Sequence, residues 1–204
     1  MKRLLQAIYF ATLKHAGQTR KDKKTAYISH PLAVGVILSR ITDDENTIIA
    51  GILHDIVEDS RAKEQEVMRL FGPEVTRIVM ECSEKDKSKS WKDRKQEVLE
   101  EVNHLSNEAA LVKSADSLHN LYELVEKIKE FGLSYFDNFN ASVEDKMEYE
   151  RKKLEKFKRC HKDNSLLRGG IARFTLFHGK ALETGSSLLL SERVLALRSF
   201  ALSD

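Results

Sequence analysis

Cysteine and proline are both scarce in this chain of 204 residues. Its two cysteines, Cys82 and Cys160, form neither a CxxC pair nor a Cys/His zinc spacing, and two lone cysteines do not make a disulfide framework. The two prolines, Pro31 and Pro73, leave long stretches that a helix can occupy without a break. The composition therefore argues against a disulfide-rich domain and against a cysteine-ligated metal site.

The chain also lacks a long apolar run and an excess of charge of one sign. No apolar stretch approaches the ~20 residues that span a bilayer, and the N-terminus lacks the apolar segment and cleavage site of a signal peptide. The 34 Lys and Arg nearly balance the 32 Asp and Glu, which gives a net charge of +2. This balance gives no reason to expect a nucleic acid polymer as partner. We expect a soluble, cytoplasmic protein that does not engage a membrane.

Helical spacing dominates the chain, and no stretch keeps the period-2 alternation of a half-buried strand. In the first segment, Leu4, Ile8, Ala11 and His15 share one face of a predicted helix. A polar, basic turn follows. Pro31 then suits the first turn of a second helix, where its missing N–H costs little.

Local start and stop signals predict further helices. The four residues from Thr42 to Glu45 are typical of a capping box with Thr42 as the N-cap. The Phe71-Gly72-Pro73 segment indicates a tight break between two helices. Ser106 is predicted to cap a long helix that ends near Gly132, and another helix is predicted over residues 143–157.

The character of the chain changes after Cys160. Residues 164–170 are rich in turn formers, and residues 186–202 contain a leucine-rich run. We therefore predict an all-α protein with one domain over residues 1–161 and a helical C-terminal extension over residues 162–204. Because the leucine-rich face would otherwise expose apolar area, we expect this extension to serve as a homo-oligomerisation segment.

The segment from His54 to Asp59 places four ionisable groups at the end of a predicted helix whose preceding turns are apolar. Spacing of i, i+4 pairs His54 with Glu58 and Asp55 with Asp59 on shared helix faces. Burying these charges is costly unless a cation or hydrogen bonds compensate them, and imidazole and carboxylate groups together suit Mn, Fe, Zn, Co or Ni. The alternative is a solvated helix end with a chance acidic cluster, and this segment alone favours the alternative.

Three further elements change that balance. His30 directly precedes a helix-starting proline, where its side chain can point into a cleft. Asp116 lies in an otherwise apolar helix stripe, as either a hydrogen-bonded core carboxylate or a metal ligand. A basic turn with Arg20 and Lys21 can receive a phosphate or stack beneath a base. Two imidazoles and two carboxylates would leave open positions for water and substrate on a metal ion, and the residues concerned are His30, His54, Asp55 and Asp116.

Four motifs in this order resemble the HD hydrolase domain of the RelA/SpoT family. They are H-x-G-Q-x-R-K from His15, Y-I-x-H-P from Tyr27, H-D-x-x-E-D from His54 and A-D-x-x-x-N-L from Ala115. The likeness is greatest to the small stand-alone members, the small alarmone hydrolases and metazoan SpoT homologues. It extends through residues 84–95 and 139–140 and covers residues 5 to 157.

The resemblance implies an α-helical HD fold and one Mn²⁺ ion held by His30, His54, Asp55 and Asp116. It also implies hydrolysis of (p)ppGpp, in which the 3′-pyrophosphate is removed to leave GDP or GTP. Glu58 and Asp59 match the pair that positions and activates the attacking water in this family.

The resemblance further implies a set of substrate contacts. Arg20 and Lys21 match the turn that flanks the base and phosphates, and Tyr27 and Asn120 match positions on the ribose side. Three more basic residues are candidates for contacting the pyrophosphate, although a solvated surface is an equal alternative for each: Lys87, Arg94 and Lys95.

Residues 22–26 depart from the family, whose members commonly have a Gly- or Pro-containing turn here. This departure leaves the expected metal chemistry intact but leaves the nucleotide open. One alternative function is an HD phosphatase for another phosphorylated nucleotide such as NADPH. Another is a non-catalytic HD module that binds a nucleotide.

Overall fold

The computed structural model of the chain describes residues 1–84, 88–132 and 143–161. Within these ranges it contains nine α-helices, one 3₁₀ helix and no β-strand. The α-helices are α1 (Lys2–Lys14), α2 (Ser29–Ser39), α3 (Glu45–Leu53), α4 (Ile56–Asp59), α5 (Glu64–Phe71), α6 (Pro73–Cys82), α7 (Trp91–Glu101), α8 (Asn107–Phe131) and α9 (Val143–Cys160). The 3₁₀ helix spans Val102–His104. The predicted all-α class is confirmed.

The chain divides into two compact units, Met1–Asn120 and Leu121–Asp204. In the second unit, α9 carries an ion pair between Lys153 and Glu150, with 2.9 Å between Nζ and Oε2. The predicted extension over residues 162–204 lies outside the described residues. Its helical character, its role in oligomerisation and the boundary at residue 161 therefore stay predictions.

Helix α3 packs against α1, α2 and α6 within the first unit. Its approach to α2 is close because glycine occupies both sides of the contact. A Cβ atom on Gly35 would lie 2.5 Å from Cγ1 of Ile52, and one on Gly51 would lie 2.2 Å from Cδ1 of Leu38. This close packing matters for the site, because His30 lies in the first turn of α2 and His54 directly follows α3.

Asp44, rather than Thr42, is the N-cap of α3. Its carboxylate accepts hydrogen bonds from the backbone N–H groups of Asn46 and Thr47, which leaves α3 beginning at Glu45. The predicted capping box is therefore wrong by two residues. The Glu45 side chain does not complete a box; it pairs with the N-terminal amine of Met1 at 2.8 Å.

The helix predicted to run through His54 is broken at that point. Helix α3 ends at Leu53 and α4 begins at Ile56, so His54 and Asp55 occupy a turn between two helices. The hydrogen bond from Asp59 N to Asp55 O, at 2.7 Å, belongs to the short α4. The prediction of one continuous helix face is therefore wrong, because the chain turns at the residues that carry the chemistry.

Other predicted boundaries are confirmed. Gly72 separates α5 from α6 with a φ of 85°, in the left-handed region that favours glycine. Ser106 Oγ accepts a hydrogen bond from Ala109 N at 3.2 Å at the start of α8. Helix α8 ends at Phe131, directly before Gly132, and α9 continues three residues past its predicted end to Cys160.

The two cysteines differ in their surroundings. Cys82, in α6, is buried, and burial raises the pKa of its thiol to about 12. Cys160, at the end of α9, is exposed. The helices in the described ranges include none that is both long enough and apolar enough to cross a bilayer.

Candidate metal and catalytic site

The four predicted metal ligands lie together in the first unit, although they come from three different segments of the chain. The Nε2 atom of His30 lies 3.3 Å from Nε2 of His54 and 3.2 Å from Oδ1 of Asp116. His54 Nε2 lies 3.9 Å from the same Asp116 oxygen. In the described part of the chain these three residues form a group whose donor atoms all lie within 4.8 Å of one another.

Asp55 joins this group through the two histidines. Its Oδ1 atom lies 3.1 Å from His54 Nε2, and its Oδ2 atom lies 3.7 Å from His30 Nε2. Burial lowers the pKa of His54, but the charge and hydrogen bond of Asp55 outweigh burial and raise that pKa to about 9. Burial in turn raises the pKa of Asp55. The charge and hydrogen bond of His54 outweigh burial and hold the Asp55 pKa far below its usual value. The cluster therefore favours a positive charge at its centre.

Contacts behind the two rings orient their Nε2 atoms. His54 Nδ1 lies 2.8 Å from the carbonyl oxygen of Gly51, to which it can only donate. A neutral His54 therefore presents the lone pair of Nε2 to the cluster. His30 Nδ1 lies 2.9 Å from Nδ1 of His119, so its ring is also held from behind. Contacts of this kind set the tautomer and orientation of metal-bound histidines.

The spacing of these donors fits a single metal ion. Two nitrogen ligands at ~2.1 Å from one ion lie roughly 3.0–3.4 Å apart at octahedral to tetrahedral angles. The His30 and His54 Nε2 atoms are separated by 3.3 Å. The donor set of imidazole nitrogen and carboxylate oxygen suits a divalent transition metal. The site therefore meets both the distance and the chemical requirement for a divalent metal.

Glu58 and Asp59 lie on α4, directly after the turn that carries Asp55. Oε2 of Glu58 accepts a hydrogen bond from the backbone N–H of Glu84 at 3.0 Å. Burial raises the pKa of Glu58, and the negative charges of Asp59, Glu84 and Asp55 raise it further against the effect of that hydrogen bond. A carboxylate with a raised pKa is a better proton acceptor than a solvated one.

Tyr27 reaches the same carboxylates. Its hydroxyl oxygen lies 2.7 Å from Oδ2 of Asp55 and 2.9 Å from Oδ2 of Asp59. Its ring is stacked on that of His15, with 4.8 Å between centroids. The structure therefore places its hydroxyl on two acidic residues of the site, and the contact with ribose stays a prediction.

Arg20 and Asn120 form a chain of contacts that ends at a predicted ligand. Nη2 of Arg20 donates to Oδ1 of Asn120 at 3.0 Å, and Nδ2 of Asn120 donates to Oδ1 of Asp116 at 2.6 Å. The Arg20 guanidinium carbon also lies 5.4 Å from the centre of the Tyr27 ring. Lys21 is exposed beside them. The basic turn and the metal cluster are thus neighbours.

The basic residues predicted to contact the pyrophosphate are placed differently. Arg94 and Lys95 both pair with Glu84, and Nη1 of Arg94 lies 2.7 Å from Oε2. Lys87 lies outside the described residues. Glu84 therefore connects these two residues to Glu58. Its side chain binds Arg94 and Lys95, and its backbone N–H donates to Glu58.

Sequence reasoning did not assign roles to three residues that contact this site. Gln18 Nε2 donates to the backbone oxygen of Asp59 at 2.8 Å, His119 contacts His30, and Glu84 joins the basic pair to Glu58. Gln18 is a named position of the first motif, and His119 lies one helical turn beyond Asp116. The sequence therefore contained a reason to expect both residues near the site. Glu84 begins the segment 84–95 that resembles the family, but no spacing in the sequence predicts its pairing with residues ten and eleven positions further along the chain.

Comparisons with known proteins identify relatives of this chain. The family model of the HD domain matches residues 7–137. The guanosine-3′,5′-bis(diphosphate) 3′-pyrophosphohydrolase MESH1 of Drosophila melanogaster is 38% identical over 125 residues, which cover 60% of this chain and 69% of that protein. Its Xenopus tropicalis counterpart is 44% identical over 125 residues, with 59% and 69% covered. The solved structure of a metazoan ortholog of SpoT, described as hydrolysing ppGpp, matches with a TM-score of 0.67 and 28% identity, covering 78% of this chain and 88% of that chain.

Proposed function

Because this chain belongs to the HD-domain family, in the branch of the metazoan SpoT homologues, we propose that it is a metal-dependent (p)ppGpp 3′-pyrophosphohydrolase. The products would be GDP or GTP and pyrophosphate. The proposed metal is Mn²⁺.

The observation that carries this proposal is the position of Glu58 and Asp59 beside the cluster of metal donors. The Tyr27 hydroxyl contacts both Asp55, a proposed ligand, and Asp59. A metal-dependent hydrolase needs the metal ion and a proton acceptor within reach of the same water. The proposed proton acceptors lie on α4, and two of the four proposed metal ligands lie in the turn directly before it.

The proposed ligands are His30, His54, Asp55 and Asp116. When bound, the ion would polarise a phosphoryl oxygen and lower the pKa of water. Glu58 and Asp59 would orient that water and accept its proton. The water oxygen would attack the phosphorus attached to the 3′-oxygen, and the bond between this phosphorus and the 3′-oxygen would break. The nucleotide would leave with its 3′-oxygen, which would take up a proton to become the 3′-hydroxyl, and the pyrophosphate would carry the oxygen of the water.

The substrate would extend from the cluster toward the basic turn. Arg20 and Lys21 would flank the base and phosphates, and Tyr27 and Asn120 would line the ribose side. Arg94, Lys95 and Lys87 are proposed to contact the pyrophosphate. For the first two, this requires a phosphate oxygen to compete with the Glu84 carboxylate that they bind in the structure.

A substrate panel tests the proposal. The purified chain with Mn²⁺ is incubated with ppGpp, NADPH and GTP, and pyrophosphate and orthophosphate are measured separately. Pyrophosphate released from ppGpp alone supports the proposed reaction. Orthophosphate released from NADPH with inert ppGpp would instead support an HD phosphatase for another nucleotide.

A ligand variant separates catalysis from binding alone. Asp55→Ala is expected to abolish turnover while nucleotide binding, measured by calorimetry, is retained. Asp43→Ala is the matched control, because Asp43 is exposed and lies outside the cluster. Equal turnover in the Asp55 variant and the wild type would indicate a contaminating hydrolase and a module that only binds nucleotide.

The identity of the metal is tested by depletion and replacement. Chelation is expected to abolish turnover, and Mn²⁺ is expected to restore it better than Zn²⁺ or Mg²⁺. A metal ion that binds the folded state but not the unfolded state also raises the temperature of unfolding. His54→Ala should lose this stabilisation. Full activity in the chelated protein would contradict a metal-dependent mechanism.

A further inference from the structure

One hydroxyl group joins the metal cluster to the proposed proton acceptor. The Tyr27 hydroxyl oxygen lies within hydrogen-bond distance of Asp55 Oδ2, at 2.7 Å, and of Asp59 Oδ2, at 2.9 Å. A phenol carries a single hydrogen, which it donates to either carboxylate in turn or divides between the two. Asp59 and Asp55 lie one turn apart on the chain, so a bridge between their side chains fixes the Asp59 carboxylate relative to the cluster.

The Tyr27 ring is held on several sides, so its hydroxyl has little freedom to move away. It stacks on His15, which is 2% exposed, at an interplanar angle of 26°. The Arg20 guanidinium carbon lies 5.4 Å from the ring centre. The edge of His30 approaches the ring at 6.3 Å between centroids. The backbone N–H of Tyr27 also donates to the carbonyl oxygen of Gln18 at 2.9 Å.

A second contact from the same turn reaches Asp59. Gln18 Nε2 donates to the Asp59 backbone oxygen at 2.8 Å. The Gln18 amide is itself held, because His15 Nδ1 lies 2.8 Å from its Oε1 atom. Asp59 is therefore fixed at its backbone by Gln18 and at its carboxylate by Tyr27.

We propose that Tyr27 is a positioning residue that holds the Asp59 carboxylate at a fixed place beside the metal cluster. This rests on the proposed function only in assigning Asp59 to the attacking water. The terminal torsion of an aspartate is broad, so a carboxylate without such a contact samples many orientations. A proton acceptor must lie within about 2.6–3.2 Å of its donor. The loss of one orienting contact therefore lowers the rate of the chemical step.

This role differs measurably from a contact with the ribose. A residue that binds substrate equally in the ground and transition states changes KM and leaves kcat unchanged. A residue that positions the proton acceptor changes kcat and leaves KM unchanged. Tyr27→Phe removes the hydroxyl and keeps the ring that stacks on His15. Tyr9→Phe is the matched control, because Tyr9 lies on α1 and is 67% exposed.

Steady-state kinetics at saturating Mn²⁺ give the first readout. Tyr27→Phe is expected to lower kcat by about ten- to a hundredfold, the effect of losing one hydrogen bond to a charged group. KM should stay within about twofold of the wild-type value, and Tyr9→Phe should match the wild type in both constants. Unchanged kcat, a raised KM alone, or recovery of the wild-type kcat when Mn²⁺ is raised far above the concentration that saturates the wild type would each overturn the proposal. The last result would mean that the hydroxyl acts only through metal binding by Asp55.

The second readout needs no turnover. Crystal structures of the Mn²⁺-loaded wild type and Tyr27→Phe are compared at Asp59, and the carboxylate is expected to rotate or become disordered in the variant. An Asp59 side chain in the same place in both would overturn the proposal. Should the wild type release no pyrophosphate from ppGpp, the proposed function fails, yet this comparison still decides the role of Tyr27.

Gln18→Met is an independent variant that tests the proposal even if Tyr27→Phe does not fold. It removes the amide that holds the Asp59 backbone and leaves the Tyr27 hydroxyl in place. The expected result is a lower kcat at an unchanged KM, with thermal unfolding as the check that the chain is folded. Wild-type kcat in a folded Gln18→Met would contradict the idea that this turn fixes Asp59.

Discussion

Arg94 forms an ion pair with Glu84, with 2.7 Å between Nη1 and Oε2, and both side chains are largely buried. Lys95 binds the second oxygen of the same carboxylate. The Glu84 backbone N–H donates to Glu58 at 3.0 Å. The start of α7 is therefore tied to α4 through one residue, which lies at the edge of the candidate site.

Glu84→Gln is expected to destabilise the fold at neutral pH. Burial raises the pKa of Glu84, but the hydrogen bond and charge of Lys95 and the charge of Arg94 outweigh it and hold that pKa below its usual value. Because the folded-state pKa is lowered, the stabilisation is present above the unfolded-state pKa and is lost as the pH falls through the folded-state value. We expect the variant to lose ~1–3 kcal/mol of unfolding free energy at pH 7. Urea unfolding at several pH values measures this loss.

The pH dependence provides the check on this prediction. The difference between the variant and the wild type should shrink as the pH falls below the ordinary carboxyl range, because the wild-type Glu84 then becomes neutral. Glu74→Gln is the matched control, since its side chain is 63% exposed in a surface pair with Arg77. A destabilisation of equal size in both variants would argue against a special role for Glu84.

His119→Phe is expected to weaken metal binding. His119 Nδ1 holds His30 Nδ1 at 2.9 Å, and a phenylalanine has no atom to replace that hydrogen bond. Removing a group that orients a metal-bound histidine lowers metal affinity by about ten- to a hundredfold. Calorimetric titration of Mn²⁺ into the substrate-free protein measures the effect. His104→Phe, at an exposed position, is the control, and equal affinities in both variants would refute the role.

Gly51→Ala is expected to lower stability, even though alanine favours a helix. The new Cβ would lie 2.2 Å from Cδ1 of Leu38. Overpacking of a core contact costs ~1–3 kcal/mol, against a gain of about 1 kcal/mol in helix propensity. Turnover should also fall, since the Gly51 carbonyl orients His54 at 2.8 Å. Thermal and urea unfolding provide the measurement.

A double variant tests whether Leu38 is the cause. Leu38→Val shortens the side chain that the new methyl group would meet. If the clash is real, the loss in Gly51→Ala with Leu38→Val is smaller than the sum of the two single losses. If the losses in unfolding free energy are additive, the contact with Leu38 is not the cause of the destabilisation in Gly51→Ala.

Asp44→Ala is expected to destabilise α3, because the Asp44 carboxylate accepts hydrogen bonds from two backbone N–H groups of its first turn, those of Asn46 and Thr47. The cost should be ~0.5–2 kcal/mol of unfolding free energy, the range for loss of an N-cap. Asp43→Ala changes the neighbouring exposed aspartate and serves as the control. Equal stability of the two variants in urea would be incompatible with the cap seen in the structure.

The sequence was most informative about the residues that its motifs bring together and about the two long helices α8 and α9. The residue types and order of His30, His54, Asp55 and Asp116 predicted a cluster, and the structure brings all four together. Helical spacing also predicted α8 and α9 to within a few residues. The helices were predicted from periodicity and local chain signals, whereas the ligand set rested on the motifs and on the resemblance to the RelA/SpoT family.

The parts that could not be predicted depend on contacts between distant segments. The pattern before His54 is that of a continuous helix, and only packing shows that the chain turns there. Glu84 and Arg94 both lie in the segment that resembles the family, but their separation of ten residues predicts no contact between their side chains. The competition between Thr42 and Asp44 for the N-cap is local, but both residue types are good caps. Spacing alone therefore does not decide between them.

The unlike surroundings of Cys82 and Cys160 give the protein a built-in pair of chemical probes. The thiolate is the form that reacts with alkylating reagents, and a thiol with a pKa of about 12 is almost entirely protonated near neutral pH. Cys160, exposed at the end of α9, is therefore the side chain that such a reagent meets first. Slow labelling of Cys82 then reports how often the contact of α6 with α8 opens, where its Sγ lies 3.9 Å from the carbonyl oxygen of Ala109. The rate of this opening can be followed by mass in the unaltered chain.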